Sequence, residues 1–175
     1  SKWNVSGVVN MESIFQGCSN FNKNINNWNI ENVISLNKSF YNSSSFNKSL
    51  NKWDVSNVTN MGSMFMNCSN FNQDLSTWDV SNVTNMQSMF KNCKSFDKSL
   101  GSWDVSSVIN MKYMFYGCDI FNNNNNAIDN WNVSNVTNMQ YMFYNCKKFN
   151  QAIEDWERHN GHNNGYSTLE NVTNM

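Results

Sequence analysis

Residues 53–77 read WDVSNVTNMGSMFMNCSNFNQDLST, and residues 78–102 follow the same wording almost position for position. The tryptophans stand at Trp3, Trp28, Trp53, Trp78, Trp103, Trp131 and Trp156, spaced 25 residues apart except for one interval of 28. A fixed period of this size marks a repeat array, whose units are too small to bury a face alone and must stack on their neighbours. Residues 1–175 therefore form a single array of about seven repeats, starting near 3, 28, 53, 78, 103, 131 and 156. Insertions near 123–125 and 158–168 interrupt it, and both are expected to bulge from the stack as surface loops.

Numbered from its tryptophan, the repeat is apolar at positions 1, 3, 6, 9, 12, 13, 16, 19 and 23. Positions 9, 12, 13 and 16 have the spacing of one helix face, as in Met61, Met64, Phe65 and Cys68. Position 8 (Asn10, Ser35, Asn60, Asn85, Asn110, Asn138, Asn174) suits a helix N-cap. Position 15 (Gly17, Asn42, Asn67, Asn92, Gly117, Asn145) suits the left-handed residue that ends a helix. Across positions 23, 1 and 3, Leu75, Trp78 and Val80 alternate with polar residues as in a strand. Asn or Asp at position 20 suits a turn in which the side chain bonds its own downstream backbone. The expected fold is a leucine-rich-repeat-like solenoid. Each 25-residue coil is a short strand plus a short helix, stacked right-handed about 5 Å apart.

The net charge of −1 gives neither nucleic acid nor an acidic membrane surface an obvious purchase. No apolar run reaches membrane-spanning length. Neither end reads as a capping repeat, so further repeats of the same chain are expected at both ends, with any signal or anchor outside this stretch.

The wording L-x-x-W-x-V-x-x-V-T-N-M-x-x-M-F-x-x-C-x-x-F closely resembles the BspA-like leucine-rich repeat. The WDVSNVTNM version resembles the Asn-rich form found in mycoplasma surface lipoproteins. The resemblance covers nearly the whole chain apart from the two insertions. It implies display on a cell or particle surface, a role in adhesion or host interaction, and no catalytic residues to carry over.

Candidate chemistry is weighed position by position. Cys18, Cys68, Cys93, Cys118 and Cys146 all occupy position 16, with Ser43 in the second copy. Without paired C-x-x-C spacing they read as buried free thiols rather than metal ligands, although disulfides between adjacent coils are conceivable. The methionine column reads as core, and so does the tryptophan column, with sugar stacking as the alternative for the tryptophans. Position 2 (Asn4, Asn29, Asp54, Asp79, Asp104, Asn132, Glu157) forms a polar ladder. It reads as a solvated strip, or as a binding strip with a weak calcium site at the three aspartates. Tyr113, Tyr116, Tyr141 and Tyr144, at positions 11 and 14 of two adjacent copies, lie off the apolar face. They read either as a contact surface or as phenols packed along the outside. His159 and His162, with Glu157 nearby, lack the further ligands a metal site needs. The glycosylation sequons at Asn57, Asn82, Asn135 and Asn171 follow from the repeat itself.

No Ser-His-Asp, Cys-His or phosphate-binding Gly-rich arrangement is present, so no enzyme and no cofactor or metal is expected. The expected function is that of a surface-displayed interaction or adhesion module, extracellular, meeting a protein or glycan on another cell or on the same assembly. The alternative is a structural or antigenic coat component of a cell or virion without a specific ligand. An ice-binding threonine row (Thr59, Thr84, Thr137, Thr173) is weak, because Val9, Ile34 and Ile109 interrupt it.

Overall fold

An α-helix of fewer than two turns leaves nearly all its N–H and C=O groups without partners inside the helix. In this repeat, every second N–H finds its partner in the neighbouring copy instead. The computed structural model describes residues 3–153 and Trp156. In the copy from Trp53, the N–H groups of Met61, Ser63, Phe65 and Asn67 donate to the carbonyls of Asn85, Gln87, Met89 and Lys91, at 2.7–2.9 Å. The intervening N–H groups of Met64, Met66 and Cys68 close back three residues onto Met61, Ser63 and Phe65, at 2.9–3.2 Å. The same alternation runs from the copy at Trp3 to the copy at Trp103.

The segment is thus a ladder of tight turns. The first and last turns of each copy carry at their third residue the positive φ of a type II turn. At position 15 these are the expected Asn and Gly, including Asn67 (φ 63), Asn92 (φ 60) and Gly117 (φ 68). Position 11 is also left-handed, although Ser63 (φ 54), Ser88 (φ 56) and Tyr113 (φ 59) bear ordinary side chains. That conformation costs an L-residue about 1–2 kcal/mol, which the cross-layer bonds offset. The position-8 asparagine does accept the N–H expected of a cap, as in Gly62 N–H to Asn60 Oδ1 at 3.0 Å. It caps a turn, not a helix.

The expected right-handed, leucine-rich-repeat-like solenoid of strand-plus-helix coils is therefore corrected. No α-helix and no β-strand runs through residues 3–153, where the one helical element is a 3-10 turn at Asn123–Asn125. Parallel pairing is confined to single-residue bridges linking Asn10, Ser35, Asn60, Asn85, Asn110 and Asn138. The Trp-x-Val stretch alternates buried and exposed as read, but turns close both its ends: Trp53 N–H reaches Leu50 O at 3.0 Å and Val58 N–H reaches Val55 O at 2.9 Å.

Phenylalanines form two columns inside the layers. Phe15, Phe40, Phe65, Phe90, Phe115 and Phe143 stack with ring centroids 5.3–5.7 Å apart. The position-19 column, from Phe21 to Phe149, is spaced 5.8–6.1 Å. Within a layer the two columns meet at 3.9–4.2 Å. Truncating one fully buried phenylalanine to alanine costs roughly 3–5 kcal/mol. Tryptophans from Trp28 onward are buried, and indole N–H groups reach the preceding layer, as in Trp78 Nε1 to Leu50 O at 3.0 Å. Trp3 is 66% exposed and departs from its core reading.

Side chains add rungs between layers. Cys93 Sγ donates to Phe65 O at 3.0 Å, and Ser43 Oγ donates to the equivalent Phe15 O at 2.6 Å. The cysteine column therefore tolerates serine because the position needs a small donor. At position 20 the asparagine does not bond its own downstream backbone, as expected, but the next copy's: Asn72 N–H to Asn47 Oδ1 at 3.0 Å, then Asp97 N–H to Asn72 Oδ1 at 3.1 Å.

The first insertion is exposed at Asn124 and Asn125, as a surface loop is, and is anchored inward at Asn123. Asn123, Asn124 and Asn125 all take positive φ, and Asn123 is fully buried, its Oδ1 accepting from Leu100 N–H at 2.7 Å. The register continues past it, with Asn150 N–H on Asn122 Oδ1 at 2.8 Å. The second insertion, near 158–168, lies outside the described residues.

Cys68, Cys93, Cys118 and Cys146 are buried free thiols, whereas Cys18, in the first described copy, is exposed. Burial pushes Cys68 and Cys146 up to about 12, and Cys93 and Cys118 well above the ordinary 9.0. A native-state maleimide is expected to label Cys18 alone, and the other four only after denaturation. An unfolded thiol ionises near 9.0 while these stay protonated, so their contribution is complete below that pH and is lost as pH rises toward about 12. The denaturant midpoint should fall steadily through that window; a midpoint that stays flat there contradicts thiol burial.

Candidate interaction surface

Because positions 9, 13 and 16 face the core, positions 11 and 14 of the turn ladder face outward, and the layer stacking sets their side chains in rows. Tyr113 lies on Tyr141 at 5.5 Å with rings 8° from parallel, and Tyr116 lies on Tyr144 at 5.1 Å and 19°. The two rows meet edge to face, Tyr113 to Tyr116 at 5.7 Å and Tyr141 to Tyr144 at 5.9 Å. All four candidate tyrosines thus form one two-by-two block. Tyr113 and Tyr116 are half-buried, while Tyr141 and Tyr144 are 39% and 37% exposed.

Two lysines attend the block. Lys91 Nζ lies 4.6 Å from the centroids of both Tyr113 and Tyr116, and Lys112 Nζ lies 5.0 Å from that of Tyr113. Each ammonium sits over a negative ring face, an attraction worth about 0.5–1 kcal/mol at exposed sites. Beside them, Asp119 bridges Lys94 at 3.1 Å and Lys147 at 3.2 Å. The two lysines, chiefly Lys94 through its hydrogen bond, hold the Asp119 carboxyl below its ordinary value. Sequence reading missed this lysine framing. Its signal was available, since Lys94, Asp119 and Lys147 share position 17 in three successive copies.

The position-2 candidates Asp54, Asp79 and Asp104 form a second exposed row, but each is engaged locally. Asp54 Oδ1 accepts Ser56 Oγ at 2.7 Å and Ser56 N–H at 3.0 Å. Asp79 Oδ1 does the same with Ser81 at 2.7 and 3.1 Å, and Asp104 Oδ1 accepts Ser106 N–H at 3.0 Å. The serine hydroxyl, then its amide, lowers the Asp54 and Asp104 carboxyls. A depressed carboxylate contributes stability above its ordinary range and loses it as pH falls. These aspartates also close turns, a task the reading of a free ladder did not assign them.

Among the described residues, no three His, Cys, Asp or Glu side chains converge where they could hold a metal ion. Every buried side-chain nitrogen or oxygen described has a hydrogen-bond partner, so no orphaned polar group points into a cavity. No helix among the described residues is long and apolar enough to cross a membrane. Val9, Ile34 and Ile109 are exposed in the same column as Thr59, Thr84 and Thr137, whose row they interrupt. Glu157, His159, His162, Asn171, Thr173 and Asn174 lie outside the described residues.

The profile of a family described as "Mycoplasma protein of unknown function, DUF285" matches residues 1–83 and again 68–175. No curated protein and no solved structure matches the chain.

Removing the hydroxyl in Ser56→Ala is expected to raise the Asp54 carboxyl toward 3.8, read by carbon-detected NMR titration. An unchanged titration in a folded variant would mean the serine does not hold that carboxylate.

Proposed function

Since the chain belongs to the DUF285 family, described as Mycoplasma proteins of unknown function, we propose that it is a surface-displayed interaction module that binds through its tyrosine block and performs no catalysis. The finer kinship, with the Asn-rich BspA-like surface proteins of the mycoplasma lipoprotein type, belongs to the same reading. It rests on the repeat wording, and the family is related to the BspA-like repeat proteins. The partner is a protein or glycan on another cell or on the same assembly, met outside the cell that displays the chain.

One observation carries the proposal. Tyr113, Tyr116, Tyr141 and Tyr144 gather into one stacked block at the surface, with Tyr141 and Tyr144 more than a third exposed. Stiff rings with a polar tip lose little entropy on contact, so tyrosine is enriched where proteins bind. The block also stands apart from the rest of its strip. The same positions carry Ser63 and Met66, then Ser88 and Lys91, in the two copies before it.

The test is the double variant Tyr116→Ala with Tyr144→Ala. Binding to partner cells is expected to weaken by roughly 2 kcal/mol or more, with the melting temperature nearly unchanged. Full binding by the folded double variant, with loss on Asp79→Ala and Asp104→Ala, would move the contact to the aspartate row.

A further inference from the structure

Between positions 10 and 18 of the repeat, the first three copies carry one acid and one base, Glu12 and Lys38. The next three carry five lysines, Lys91, Lys94, Lys112, Lys147 and Lys148, against the single acid Asp119. A net charge of −1 for the whole chain conceals this local excess of positive charge. The lysines fall in the tyrosine block's two layers and the layer before them, so two departures from the repeat coincide on one face.

The two departures are in contact. Lys91 Nζ lies over the rings of Tyr113 and Tyr116, and Lys112 Nζ over that of Tyr113. Lys94 Nζ lies 3.8 Å from where a Cβ on Gly117 would stand, and Gly117 directly follows Tyr116. Asp119 bridges Lys94 and Lys147, yet one carboxylate cannot neutralise two ammonium groups. The side chains of Lys94 and Lys147 are 48% and 72% exposed, and Lys148 is exposed as well. None of the four phenol hydroxyls has a hydrogen-bond partner among the described residues. The face therefore offers ammonium groups and O–H donors together, a set suited to anionic oxygens.

The form of the face narrows the kind of anion. Protein partners draw most of their affinity from aromatic or arginine anchors seated in pockets. The hollow lined by Trp3, Asn24, Ile25, Asn27 and Trp28 lies in the first two copies, away from this face. Nucleic-acid strands gain from stacking bases on open ring faces. Tyr113 and Tyr116 stack on Tyr141 and Tyr144 of the next layer and meet Lys91 from the previous one, which takes their faces. An acidic sugar chain needs neither a socket nor a ring face. Its anionic groups and hydroxyls need only donors set along a surface.

We propose that the tyrosine and lysine face binds an acidic polysaccharide, a sugar chain bearing carboxylate or sulfate groups. The inference rests on reading the tyrosine block as a contact surface and names its partner. Each exposed charge contact is weak and screened by salt. Binding therefore needs several lysines engaged at once by one chain, and it weakens as salt rises.

The test measures affinity for dextran sulfate over a range of salt, with neutral dextran as the uncharged probe. One variant carries Lys94→Gln, Lys147→Gln and Lys148→Gln, in which glutamine keeps an N–H for Asp119. A control carries Lys23→Gln, Lys48→Gln and Lys98→Gln, which removes the same charge from position 21. The wild type is expected to bind dextran sulfate, more weakly as salt rises, and to ignore neutral dextran. The first variant should lose roughly tenfold in affinity, the control little, and Tyr116→Ala with Tyr144→Ala should weaken binding too. Equal loss in both lysine variants, or none in the tyrosine variant, overturns the proposal. Tighter binding of polyglutamate or single-stranded DNA of matched charge density overturns it as well, in favour of an acidic protein or a nucleic acid. If dextran sulfate is not bound but partner cells are still captured in a Tyr116- and Tyr144-dependent way, the acidic polysaccharide falls and the contact reading stands. If that capture is absent too, both fall.

Discussion

Everything else in this fold depends on where alternate backbone N–H groups send their hydrogen bonds. Positions 9, 11, 13 and 15 donate to the next copy, while positions 12, 14 and 16 donate back within their own. A lone repeat cannot use the first set, so its backbone is satisfied only in a stack. The same alternation forces the left-handed turns at positions 11 and 15 and sets inward and outward side chains on fixed rows. Core columns, polar rungs and the exposed tyrosines are consequences of that one pattern.

Side chains then reinforce the layer spacing that the backbone sets. The phenylalanine columns fill the interior, and the indole, thiol and hydroxyl donors of Trp78, Cys93 and Ser43 each reach a carbonyl of the preceding layer. Asparagine serves this architecture well for a physical reason. Its amide both donates and accepts, so a column can bond itself, as Asn92 Nδ2 does to Asn67 Oδ1 at 2.8 Å and Asn67 Nδ2 to Asn42 Oδ1 at 2.7 Å. Asparagine also tolerates the positive φ those residues adopt. Asparagine in this column is therefore structural. The close fit is visible at Gly117, where an added Cβ would lie 2.5 Å from Asn92 Oδ1.

The period, the core positions and the outward placement of the four tyrosines were legible in the sequence, because they follow from spacing and polarity. The local backbone was not. Met61, Met64, Phe65 and Cys68 fall on one face of a helix, yet the same spacing also fits a turn ladder that points them inward. Asn60 and Asn67 were legible as residues bracketing a segment. A cap accepts an N–H two or three residues on whether or not a helix follows, and a left-handed residue ends a turn as readily as a helix. What separated the two was the availability of a neighbouring copy for the odd-numbered donors, which no window within one repeat reveals. The lysine framing of the tyrosines was missed for a related reason: Lys91 and Tyr116 are 25 residues apart and meet only through the stack.

The tyrosine block draws its proposed role from this rigidity. Rows set by the backbone ladder lose little freedom when a partner arrives, which favours binding. The central claim, that copies bond to one another where a helix would bond to itself, is open to direct measurement by scalar couplings across hydrogen bonds in the isotope-labelled chain. The account expects the amide nitrogen of Phe65 to couple to the carbonyl carbon of Met89, and that of Asn67 to Lys91. Couplings from Phe65 to Met61 instead, four residues back, would show a helix and contradict it.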